Sequence, residues 1–167
     1  MKHQLYLMRH AKAEPWSPLG NDFSRALSER GTRDAKAVSE WALDNLEAPD
    51  TVLCSPAKRT RETLAPFLSR WPLLLSDTDY VESIYGASLN LLSTLLEDAF
   101  SYSDKLMMVG HNPGFEDLLI NVLQPDQAAD IDRMQTGTLA VVGFSSSFRR
   151  DARNGELLHK IRAKELQ

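Results

Sequence analysis

Two histidines and two arginines stand where apolar runs stop. Leu5-Tyr6-Leu7-Met8 halts on Arg9-His10, Thr51-Val52-Leu53-Cys54 halts on Ser55-Pro56-Ala57-Lys58-Arg59, and Leu106-Met107-Met108-Val109 halts on Gly110-His111-Asn112. Short apolar runs of this kind read as buried strands. In an open α/β sheet, ligands sit beyond the carboxyl ends of the strands. If these strands are neighbours, Arg9, His10, Arg59 and His111 meet at one edge of the sheet. Such a set is cationic or hydrogen-bond-donating throughout, and its natural guest is a phosphoryl group. Two of the stops also open helices, whose first turns offer N–H groups and a positive dipole end to the same anion. Arg59 falls about one turn inside the second of these helices, so its guanidinium can reach back over the helix start.

The elements that must position these side chains are legible as an alternation. After the first strand, Ala11 to Phe23 holds Pro15, Pro18, Gly20 and Asn21 and reads as a long loop of the kind that is often functional. Ser28 with Gly31 introduces a helix to about Leu46, with Ala35, Val38, Ala42 and Leu46 at helical spacing. Ser55-Pro56 reads as an N-cap followed by proline in the first helical position, and that helix runs to about Arg70 with Thr60, Leu64, Phe67 and Leu68 on one face. A third strand is expected within Leu73 to Ile84, and a leucine-rich helix over Leu89 to Phe100. Phe115, Leu118, Leu119, Val122 and Leu123 mark an amphipathic helix after His111. Beyond the polar stretch Gln124 to Met134, Thr138 to Phe144 is a strand, and Glu156 to Ile161 a last edge strand. The alternation predicts an α/β fold, a mostly parallel sheet covered on both faces in a three-layer α/β/α sandwich.

Composition sets the outer bounds. The chain has 167 residues, 43% of them hydrophobic, which suits a single domain over 1–167. Formal charge is −4, from 19 basic and 23 acidic residues, so no global attraction to nucleic acid or anionic membrane is expected. The lone cysteine, Cys54, excludes an internal disulfide and reads as a small apolar strand residue. No segment approaches the roughly 20 apolar residues of a bilayer span. Met1 to Arg9 is too short and too soon interrupted by charge for a secretory signal, which makes cytoplasmic the expected location.

Taken together, Leu7-Met8-Arg9-His10-Ala11, Ser55-Pro56-Ala57-Lys58-Arg59-Thr60-Arg61-Glu62-Thr63 and Val109-Gly110-His111-Asn112-Pro113-Gly114 resemble the three signatures of the histidine phosphatase superfamily. Spacing and length look like its small SixA-like branch, the phosphohistidine phosphatases. The resemblance runs from about Leu5 to Phe144 and takes in Leu27-Ser28-Glu29-Arg30-Gly31 and the Gln135-Thr136-Gly137-Thr138 turn. The family most often has glycine after the first histidine, where Ala11 stands here; alanine is frequent in the small branch.

This resemblance implies a phosphoglycerate mutase-like fold and a mechanism. His10 would attack phosphorus through an unprotonated ring nitrogen, and water would then hydrolyse the phosphohistidine. Arg9, Arg59 and a protonated His111 would hold the equatorial oxygens, with Asn112 beside them as a phosphate-binding residue. That clamp could replace the metal ions of other phosphoryl-transfer enzymes, so no metal or other cofactor is expected. Glu82 matches the family's place for a proton donor, and Asp22 in the long loop is its competitor. Because the segments around the pocket are short, the implied substrate is a phosphorylated protein, a phosphohistidine carrier or phosphotransfer domain. A small-molecule phosphomonoesterase is the alternative enzyme, a phosphoglycerate mutase fits so short a chain less well, and a non-catalytic phosphate-binding module is the reading from another class. His3 and His159 read as structural or surface histidines, Lys58 and Arg61 as solvated, and Ser17, Thr136 and Gly137 equally as phosphate contacts or as loop and turn residues.

Overall fold

The computed structural model describes residues 1–166. Six strands, β1 (His3–Arg9), β2 (Thr51–Cys54), β3 (Thr78–Tyr80), β4 (Lys105–Gly110), β5 (Leu139–Phe144) and β6 (Glu156–Ile161), form one sheet in the order β3-β2-β4-β1-β5-β6. β1, β2, β3 and β4 run parallel, and β5 lies antiparallel to both its neighbours, β1 and β6. The sheet is therefore mostly parallel, as the alternation of elements predicts.

Helices α1 (Glu29–Asn45) and α2 (Lys58–Arg70) cover one face; α3 (Leu89–Ala99) and α4 (Gly114–Val122) cover the other. The period-2 side-chain alternation of strands creates this division. Tyr6, Met8, Val52, Met107 and Val109 pack with Val38, Ala42, Leu64 and Phe67, while Leu5, Leu7, Leu106 and Met108 pack with Leu92, Leu96, Phe115 and Leu118. Runs that are apolar at every position belong to strands buried on both sides. Serine hydroxyls start two of the helices, Ser28 accepting from the Gly31 N–H and Ser88 from the Leu91 N–H.

Three details differ from the sequence expectation. The helix after β2 begins at Lys58, with Ala57 rather than Ser55 at its N-cap. Ser55 is withdrawn because its hydroxyl is turned to His111. Arg59 is consequently the second residue of α2, not a turn inside it. Finally, the polar stretch after α4 holds a short helix, α5 (Pro125–Asp130), which proline starts in its first turn. Among the described residues no helix is long and apolar enough to cross a membrane.

Candidate active site

The carboxyl ends of β2, β4 and β1 lie side by side, and backbone hydrogen bonds continue the sheet past them. His10 N–H donates to the Gly110 carbonyl at 3.0 Å, and Ser55 N–H to the Val109 carbonyl at 3.0 Å. Gly110 is required by close approach: a Cβ there would lie 2.4 Å from the Phe115 ring. Gly137, at φ +74°, turns the chain back so that its N–H reaches the His10 carbonyl at 2.9 Å. His10 is thus gripped by backbone on both sides.

Its imidazole belongs to a residue only 7% exposed. Nδ1 lies 2.8 Å from the Ala11 carbonyl oxygen. A carbonyl can only accept, so Nδ1 carries the proton and Nε2 keeps its lone pair. Burial pushes the ring's pKa down to about 4 against the bond to Ala11, and the Arg59, Arg9 and Arg25 charges push the same way. His10 is therefore a neutral imidazole with a free nitrogen among cations.

His111 sits beside it, with ring centroids 5.4 Å apart. Its Nε2 is 2.8 Å from the Ser55 hydroxyl, which accepts the Ala57 N–H at 3.3 Å. With Ser55 giving its proton to Nε2, the imidazole proton falls on Nδ1, a buried atom with no partner; the hydroxyl's second lone pair equally allows the reverse, with Nε2 as donor. Burial, then Arg59, lowers the His111 pKa to about 3. Loss of water and the cationic neighbours by themselves disfavour the imidazolium that the family resemblance implies for His111.

Arg59 is almost wholly buried and gives both terminal nitrogens to Asp22, NH1 to its carbonyl at 2.8 Å and NH2 to Oδ2 at 2.9 Å. The same Oδ2 accepts the Tyr85 hydroxyl at 2.5 Å, and Oδ1 accepts Arg25 Nε at 3.0 Å. These bonds, that from Tyr85 foremost, hold the Asp22 carboxyl down at about 2. Arg9 donates to the Met134 carbonyl at 3.0 Å. The Nε atoms of both Arg9 and Arg59 are buried without a partner. Orphaned donors on two guanidiniums and an orphaned imidazole nitrogen are the mark of a place that suits an oxyanion.

Asp22 arrives on the long loop, which closes on itself through the Ala13–Leu27 bridge and is tied to α2 by the bond from Leu27 N–H to Glu62. Thr63 fixes the loop's start by accepting Ala11 N–H at 3.0 Å while donating to the Arg59 carbonyl. The helix starts contribute less than expected. Ala57 N–H goes to Ser55, Lys58 N–H to Phe23, Phe115 N–H to His111, and Glu116 N–H to Asn112. Side chains, more than helix ends, make the field around His10.

Asn112 has its amide engaged, donating to Glu116 and to the Met134 carbonyl and accepting from Glu116 N–H. To bind phosphate it must release one of these bonds. Glu82 is exposed in a short 3₁₀ turn, and its side chain has no hydrogen bond among the described residues. Ser17 is bonded to Asn21 within the loop, and Thr136 borders a cavity of about 630 Å³ next to Arg9. Two contributors escape a reading of the sequence: Tyr85, whose ring meets His111 edge-on at 5.3 Å, and Met134. Neither carries a local signal, since one is an ordinary tyrosine and the other acts through its carbonyl.

The fold and site define an α/β protein in which buried, closely set histidines join arginines at the carboxyl edge of the sheet. Residues 5–84 match the histidine phosphatase superfamily (branch 1). Across 96% of this chain and 98% of the other, the structure is similar to that of SixA from Agrobacterium tumefaciens, a proposed phosphohistidine phosphatase, at 28% identity and TM-score 0.83. The protein histidine phosphatase SixA in complex with tungstate shares the fold over 98% of this chain and 99% of its own, at 18% identity and TM-score 0.79. An uncharacterized protein of Mycobacterium tuberculosis is 38% identical over 109 residues, 64% of this chain and 63% of that protein, so this chain spans less than two thirds of that relative. The match over residues 5–84 and the likeness to SixA from Agrobacterium tumefaciens both support a place in the histidine phosphatase superfamily, on its SixA-like side.

Proposed function

We propose that this protein is a phosphatase that forms a phosphohistidine on His10 and removes phosphate from phosphohistidine in a signalling or phosphotransfer protein. The observation that carries the first half is the bond from His10 Nδ1 to the Ala11 carbonyl, which leaves Nε2 unprotonated beside Arg9, Arg59 and His111. The Nε2 lone pair attacks phosphorus while the bond from phosphorus to the leaving nitrogen breaks. Water then attacks the same phosphorus, the bond to Nε2 breaks, inorganic phosphate departs and His10 recovers its lone pair. The arginines and the Nδ1–H of His111 hold the equatorial oxygens through both steps.

The second half rests on proton supply. The carboxylate that touches the pocket, Asp22, is held ionised by Tyr85, Arg59 and Arg25. Glu82 stands exposed without a tether. An imidazole already protonated on its far nitrogen leaves as a neutral base, whereas an alkoxide needs an acid. The cationic clamp also supports turnover without a metal; loss of activity of the purified protein in EDTA would contradict that.

Leaving-group dependence tests the assignment. Glu82→Gln is expected to slow an alkyl phosphate ester about 10²-fold, the low end of general-acid effects, and phosphohistidine by less than about threefold. Wild-type protein should prefer a phosphohistidine protein to p-nitrophenyl phosphate. Preference for the small ester would favour the phosphomonoesterase reading, and equal losses on both substrates would remove Glu82 as the acid.

A further inference from the structure

A cavity of about 680 Å³ opens beside the pocket, between the long loop and the outer side of α2. Leu19, Phe23, Leu68 and Tyr80 line it together with Lys58 and Arg61. Leu19 is 76% exposed, Tyr80 48% and Phe23 40%, so an apolar patch faces solvent on a chain whose net charge is negative. The patch itself is basic: Lys58 and Arg61 are exposed, and neither joins an ion pair among the described residues. Arg61 lies over the Tyr80 ring at 6.0 Å, and Glu62, the acidic residue in the lining, is turned to the Leu27 N–H.

Two ring contacts lead from the groove to His111. Phe23 packs edge-on against Tyr85 at 5.3 Å, and Tyr85 in turn against His111 at 5.3 Å. Lys58 directly precedes Arg59. A macromolecule that presents a phosphoryl group to His10 therefore lies across Phe23 and the start of α2. A lining that is apolar and basic together suits an amphipathic helix with an acidic edge.

We propose that this groove seats an acidic amphipathic helix of the phosphoprotein whose phosphohistidine enters the pocket. The inference rests on the phosphohistidine reading above and adds what the protein partner must look like. It gives the enzyme a means of recognising its substrate that a small phosphorylated molecule cannot use.

The probes are free phosphohistidine and helical peptides bearing one phosphohistidine, flanked by leucine and glutamate, by serine and glutamate, or by leucine and lysine. The leucine–glutamate peptide should exceed free phosphohistidine in kcat/KM by about tenfold or more, and the other two should lose most of that gain. Leu19→Glu combined with Lys58→Glu should abolish the gain and leave turnover of free phosphohistidine unchanged. Both side chains are exposed, and glutamate is favourable in the first turn of a helix, so the variant should fold. Equal kcat/KM for all probes in the wild type would overturn the groove and leave the functional reading intact. Failure to hydrolyse any probe, free phosphohistidine included, would overturn the functional reading itself. A dimer in sedimentation equilibrium that the same variant dissolves would give the groove to a second copy and also overturn the proposal.

Discussion

The floor of the pocket and its rim are built in different ways. His10 and Ser55 are held by backbone bonds that prolong the sheet, and His111 ends β4 between them under fully buried neighbours. The rim is Asp22 and Tyr85, partly exposed side chains that reach each other across 63 positions of sequence and meet on Arg59. Displacing the floor means breaking a sheet, whereas the rim is held by the hydrogen bonds that Arg59, Tyr85 and Arg25 give to Asp22. On the proposed function the contrast separates tasks: a firmly held nucleophile and oxyanion site below, and an edge made of side chains above.

Arg59 joins the two regions, so its loss should have a larger effect than any change confined to the rim. Arg59→Ala removes an oxyanion donor and frees the Asp22 loop, and kcat should fall by about 10²–10³. A smaller loss with only KM raised would mean that Arg59 serves the rim alone. Acid should strike the floor next. His10 and His111 are held down at about 4 and about 3, while an unfolded chain's histidines titrate near 6.5. Above that value both states are neutral and the difference contributes nothing. As pH falls through 6.5 the unfolded chain gains protons that the fold refuses, and stability declines until the folded values are reached. By pH 5 the decline is at most about 2 kcal/mol per histidine, or several degrees in Tm. A His10→Asn, His111→Asn double variant should lose less Tm between pH 7 and pH 5 than the wild type; parallel slopes would contradict the buried neutral pair. The smallest effect belongs to the rim: Tyr85→Phe removes one bond to Asp22 and should raise KM a few-fold, about 1 kcal/mol, with kcat nearly unchanged. A fall in kcat as large as that of Arg59→Ala would erase the distinction between floor and rim.

The same contrast governs what is legible in the sequence. His10, Arg9, Arg59 and His111 are readable because each follows an apolar strand or starts a helix, and the parallel alternation brings those ends together. Ser28 is readable as a cap because its partner is three residues away. Ser55 has the same local look, yet its real partner, His111, lies 56 residues further on. The Asp22–Tyr85 bond and the Met134 carbonyl depend on long-range packing of loops with no periodicity of their own. The burial that disfavours a charge on His111 is hidden too, because sequence carries no measure of it. The reversal of β5 is likewise invisible, since strand direction is decided by connections and not by residue pattern.

The central claim is that phosphate passes through His10. Acid-labile, base-stable label should appear on His10 when the wild-type protein is rapidly mixed with a phosphohistidine protein labelled in its phosphate and quenched in base, and His10→Ala should carry none and turn over at background rate. Label on another residue, or full turnover by His10→Ala, would contradict the account.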